Sequence, residues 1–216
     1  MARVAQLLED KVDCDFVDIN MGCPIDLIFQ KGMGSGLMPR KRPLENIVRS
    51  MSTILTKPLT IKMRNGIYSD KRIAHDTFPL VERWGVSAIT LHGRSKEQRY
   101  TKLADWDYIG HCQKTVKVPV FGNGDVMNYE VRSVFLSLLY LMMIFSQDYN
   151  AGMERGGVSG IMLARGALIK PWVFTEIKEQ RHWDIRSGSG ASPGDHSDSD
   201  IMFQWPGASG HREGLL

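Results

Sequence analysis

Two hydrophobic periods alternate along the chain. In "LTIKMR" (59–64) the period is two, with Ile61 and Met63 on one face and Lys62 and Arg64 on the other. In "PLENIVRSMSTILT" (43–56) Leu44, Ile47, Val48, Met51 and Ile54 recur at helical spacing. Further strand-like runs are "FVDINM" (16–21), "AITLHG" (88–93), "VPVFGNGD" (118–125) and "GIMLARGA" (160–167). Helical patterns cover 72–85 and 104–117. Short β-branched runs that each lead into a helix predict an α/β fold with a parallel sheet.

The ends of these runs hold the chemistry. "TLHGR" sets His92 and Arg94 on a shared face, as "LTIKMR" does for Lys62 and Arg64. A sheet face that ends in Lys, Arg, His and Arg is not plain core, because an unpaired buried charge is too unfavourable. These groups are expected to surround something polar or anionic at the C-terminal mouth of the sheet. "GNGD" and "ARGA" add small residues that let backbone N–H groups approach a phosphate, with Arg165 to neutralise it. A phosphate site after strands 7 and 8 is a recurring barrel feature. On that count "FVDINM" is strand 4, and the chain holds about the last five βα units of a (β/α)8 barrel. "KGMGSG" (31–36) follows a loop and not a strand, so it reads as a mobile loop.

With 43% hydrophobic and 24% charged residues, the chain has the profile of a soluble globular protein. A net charge of +3 permits an RNA partner without arguing for one. Cys14, Cys23 and Cys112 form no CxxC and no even framework, so no disulfide, zinc site or other metal is expected. The longest apolar run, 134–145, is shorter than the roughly 20 residues a membrane helix needs. No membrane association is expected, and the cytosol or nucleus is the expected compartment. Cys14 and Cys112 read as inert packing residues, and His75 and His111 as helix surface or packing residues.

In chain order, "INMGCP", "KGMGSGLM", "TIKMRNG", "TLHGRS", "FGNGD" and "ARGALIKPW" resemble the tRNA-dihydrouridine synthases, and "KPWVFTEIKEQRHWDI" resembles their eukaryotic branch acting at tRNA position 47. The resemblance covers residues 1 to about 185 and implies an incomplete FMN-dependent TIM barrel that reduces uridine in tRNA, with NADPH or NADH as reductant. It makes Cys23 the proton donor to C5 of the base while reduced flavin gives hydride to C6. An ordinary thiol, mostly protonated at neutral pH, suits that role. By the same resemblance Lys62, His92, Asn123, Gly124, Asp125, Ala164 and Arg165 contact the flavin and its phosphate. Asn20, Arg64 and Arg94 face the substrate, and Lys96, Arg99 and Lys102 are either a solvated loop or an RNA-facing patch. Two rivals remain at this point. One is an inactive or merely tRNA-binding fragment, and the other is a flavin oxidoreductase on free pyrimidines.

Two segments depart from the family pattern. "VRSVFLSLLYLMMIFSQ" (131–147) is unlike its neighbours in composition. It reads as a retained intron, since Val-Arg permits a splice-donor codon pair and Phe-Ser-Gln an acceptor. The other reading is an amphiphilic insertion that anchors to a membrane or partner. After Ile185 the chain becomes rich in Gly, Ser, Pro and Asp, which predicts a disordered tail over 186–216.

Overall fold

The computed structural model describes residues 1–128 and 147–181. The predicted tail, and all of the 131–147 segment except Gln147, lie outside the described residues.

Five parallel strands form the main sheet: β1 (Val17–Met21), β2 (Leu59–Arg64), β3 (Ala88–His92), β4 (Val120–Asn123) and β7 (Gly160–Met162). A separate parallel pair joins β5 (Val126–Asn128) to β6 (Gln147–Asp148). The helices are α1 (Ala2–Lys11), α2 (Asp26–Gln30), α3 (Lys41–Ile54), α4 (Ala74–Arg83), α5 (Trp106–Gln113), α6 (Tyr149–Gly156), α7 (Arg165–Ile169) and α8 (Val173–Glu179). None is long and apolar enough to cross a membrane among the described residues. The expected α/β class with five parallel units is present, and the sheet is open, with β1 and β7 as its edges.

Strand order follows chain order without a reversal. Parallel crossovers are right-handed, so successive helices fall on one side of such a sheet. The residues agree with that arrangement. Register aligns Met21, Met63, Leu91, Gly122 and Ile161 on one face. There Met21, Ile61, Met63, Ile89, Leu91 and Val120 are fully buried, together with Val48 of α3, Phe78 and Val81 of α4, and Ile109 of α5. The opposite face aligns Asn20 with Lys62, and Arg64 with His92, Asn123 and Met162. The period-two pattern thus separates core from chemistry.

Local signals set the helix ends. Asp105 caps α5 by accepting from Tyr108 N at 2.9 Å, and Asp148 caps α6 by accepting from Ala151 N at 2.6 Å. Gly157 closes α6 at φ +54°, a left-handed conformation that favours glycine. Trp106 is fully buried where Gly122, Gly152 and Gly156 leave room for its indole, and its Nε1 donates to Gly124 O at 3.2 Å.

Candidate active site

At the C-terminal ends of β1 to β4 and β7 lies a cavity of about 390 Å3. Its lining includes Asn20, Cys23, Lys62, Arg64, His92, Arg94, Asn123, Gly124, Asp125, Ala164 and Arg165. Every candidate site residue named from the sequence therefore meets at one place, although they span more than 140 positions. Cys14 is not among them, and Cys112 is buried in α5, where burial pushes its thiol up to about 12.

The glycine run departs from its expected form. Expected as a mobile loop, Gly34–Leu37 is instead a buried 3-10 turn behind Cys23. Ser35 N donates to Cys23 O at 3.1 Å, and a Cβ on Gly34 would lie 2.8 Å from Cys23 Cβ. Glycine is required there because a side chain would push the cysteine forward, and because φ is +54°.

The basic residues divide into two kinds. Arg64 and Arg94 are almost fully buried and have internal partners that the sequence did not reveal. Arg64 Nε donates to Gly22 O at 2.9 Å, and its NH1 to Ser95 O at 2.9 Å and Arg99 O at 3.2 Å. Arg94 N donates to His92 O at 2.8 Å as the chain leaves β3. Its guanidinium pairs with Asp125 Oδ1 at 2.6 Å and donates to Lys102 O. Asp125 Oδ2 accepts from Ala104 N at 2.7 Å, so both carboxylate oxygens are engaged within the protein. Lys62 and Arg165 differ. The Lys62 ammonium is half-buried with no hydrogen bond or ion pair among the described residues, and burial, then Arg64, holds it below the usual lysine range. Arg165 is 56% exposed at the rim, with a long 3.4 Å contact to Asp125.

His92 is neutral. Burial, then Arg64, Lys62, Arg94 and Arg165, pushes it down to about 2. Arg94 NH1 stands 3.3 Å from Nε2, and an arginine only donates. Nε2 is therefore the acceptor, and the ring proton is assigned to Nδ1. Asn123 Nδ2 donates to Met162 O at 2.7 Å and ties β4 to the end of β7. Gly124 has φ +131°, and a Cβ there would approach His92 Cδ2 to 3.2 Å.

Tyr100 was missed in the sequence. It is 60% exposed in the loop after β3, with the Arg64 guanidinium 5.7 Å and the Arg165 guanidinium 5.3 Å from its ring. A single aromatic inside "SKEQRYTK" was the only signal, and it has no periodicity to stand out from. In the same loop Lys96 and Arg99 both pair with Asp26 of α2, Arg99 at 2.9 Å.

A sequence model described as dihydrouridine synthase (Dus) matches residues 1–189. A Xenopus tropicalis protein named tRNA-dihydrouridine(47) synthase NAD(P)(+)-like is 53% identical over 188 residues, covering 87% of this chain and 27% of that protein. Proteins of the same name from Homo sapiens and Arabidopsis thaliana are 51% and 44% identical, with 87% of this chain and 26% and 25% of theirs covered. The chain thus spans about a quarter of the length of these curated relatives. Among solved structures, one from Burkholderia cenocepacia J2315 described as a phosphonomutase aligns with a TM-score of 0.51 at 13% identity. The alignment covers 79% of this chain and 70% of that one, and the likeness is one of fold.

Proposed function

The chain belongs to the dihydrouridine synthase family, and on that premise we propose that it reduces uridine to 5,6-dihydrouridine in tRNA. The relatives' names point to position 47 and to NADPH or NADH as reductant. The observation that carries the reading is the convergence of all eleven candidate residues on one cavity. We read the open sheet as the last five βα units of a (β/α)8 barrel. Its unreversed strand order and its polar inner face support that reading.

The residues present fit FMN. A cavity of about 390 Å3 lies within the usual range for cofactor sites. Lys62 offers an ammonium with no direct hydrogen bond or ion pair among the described residues, which an anionic flavin ring would neutralise, and Arg165 a rim guanidinium for the phosphate. FMN, when bound and reduced by NAD(P)H, supplies the hydride for C6 of the base. Lys62 binds and orients the ring, and neutral His92 presents its Nδ1 proton as a donor. Cys23 gives its proton to C5, so a C–H bond forms as the S–H bond breaks, and solvent later reprotonates the thiolate. Arg64, hydrogen-bonded to the residue before Cys23, keeps a positive charge beside that thiolate. The oxygen of Asn20 already faces two backbone N–H groups, which leaves its amide N–H2 to donate to an acceptor such as a pyrimidine carbonyl.

The test is retention of flavin colour by the desalted chain after incubation with FMN, followed by dihydrouridine content of unmodified tRNA after incubation with NADPH. Bound flavin that is lost in Lys62→Ala, with dihydrouridine formation lost in Cys23→Ala, is the expected result. A colourless chain that forms no dihydrouridine would overturn the proposal.

A further inference from the structure

We infer that Asn20 and Arg64 are positioning residues that immobilise the Gly22–Cys23 segment and so set the direction of the thiol; this rests on the proposed role of Cys23. As the chain leaves β1 it loses its sheet partners, and each peptide group needs a new one. All four polar groups of these two residues have one. Asn20 Oδ1 accepts from Gly22 N at 3.0 Å and from Cys23 N at 3.1 Å. Gly22 O accepts from Arg64 Nε, and Cys23 O from Ser35 N. Pro24 comes next and has no N–H to satisfy. The order Asn-Met-Gly-Cys-Pro is thereby explained as a closed set of backbone hydrogen bonds with a thiol at its centre.

The residue types are specific to this task. Two N–H donors converging on one side-chain atom require an oxygen at the reach of Asn or Asp, the geometry of an Asx turn. Arg64 must serve carbonyls on two loops at once, which its planar fork can do and a lysine ammonium cannot. Gly34 supports the cysteine from behind. Asn20 is exposed and lies at the edge of the sheet, so changing it removes the turn without opening the core.

The test is alkylation of the full chain by iodoacetamide across pH, with Cys23 and Cys14 quantified separately by peptide mass spectrometry. Cys14 is half-buried and outside the cavity, so it reports general loosening. In Asn20→Ala the pH-independent Cys23 rate is expected to rise roughly tenfold relative to Cys14, the scale set by the two backbone N–H groups that lose Asn20 Oδ1. The unfolding midpoint should stay unchanged. Asn20→Asp keeps the acceptor and should retain the limiting rate, while its added charge moves the pH midpoint upward. A Cys23 to Cys14 ratio within about twofold of wild type in Asn20→Ala, or a limiting rate in Asn20→Asp as high as in Asn20→Ala, would overturn the inference. Neither flavin nor tRNA enters the measurement. The alkylation pattern in a chain that forms no dihydrouridine would therefore count against the proposed function alone.

Discussion

Arg94 and Asp125 form a 2.6 Å ion pair with side chains only 3% and 4% exposed. The pair joins the loop after β3 to the turn after β4, where Asp125 has the left-handed φ of +61°. Breaking one partner of such a pair leaves a buried charge. Asp125→Ala is expected to lower stability by about 3–5 kcal/mol in urea unfolding. Asp107→Ala, which breaks an exposed pair with Arg155, should stay within about 1 kcal/mol. Equal effects would contradict the structural account.

His92 makes stability depend on pH in a stated direction. Its folded value of about 2 lies below the ordinary 6.5, so between these limits the unfolded chain binds one more proton than the folded one. Stability is then present above pH 6.5 and lost as pH falls. From pH 7 to pH 5 this group alone removes about 2 kcal/mol. His92→Gln should abolish that component, and denaturation curves at the two pH values would reveal it.

Lys62 should affect stability and binding with opposite signs. Burial and the nearby Arg64 outweigh the attraction of Asp18 for the Lys62 ammonium, so Lys62→Met is expected to leave the melting temperature of the ligand-free chain unchanged or higher. The same change should weaken FMN binding at least about tenfold, or ~1.4 kcal/mol, by fluorescence titration. A large loss of thermal stability without ligand would mean that the attraction of Asp18 for Lys62 outweighs its burial.

Two glycines separate steric from backbone demands. A Cβ on Gly122 would overlap the Trp106 ring, whereas one on Gly157 would meet nothing within 4 Å and suffer only from φ +54°. Gly122→Ala is expected to destabilise by about 3 kcal/mol through overpacking, and Gly157→Ala by about 1 kcal/mol. Thermal unfolding of the two variants checks the order.

The first four sheet strands and α3, α4 and α5 were legible because each rests on a local period, whereas "GIMLARGA" is strand only over Gly160–Met162 and turns helical from Arg165. "LTIKMR" is the residue range of β2, and its alternation gave the polar face directly. The basic part of the site was legible for the same reason, since Lys62, Arg64, His92 and Arg94 follow the alternation at two strand ends, whereas Asn20, Cys23 and Asn123 stood out only through the motifs' resemblance to the family. What stayed hidden depends on contacts between distant loops. Nothing near Arg64 or Arg94 in sequence points to Gly22, Ser95 or Asp125 as partners. "KGMGSG" looked mobile because glycine content reports conformational freedom, while its burial against Cys23 is a tertiary fact.

The position of Arg64 at the end of β2 has a consequence for how this protein can change. Its guanidinium reaches back to the loop after β1 and forward to the loop after β3, and Asp26 with Lys96 and Arg99 repeats that connection. Neither loop is therefore a portable module. A chimera that imports one of them from a relative inherits only half of a shared set of donors and acceptors. The two loops, together with the strand end between them, must diverge as a single unit of inheritance.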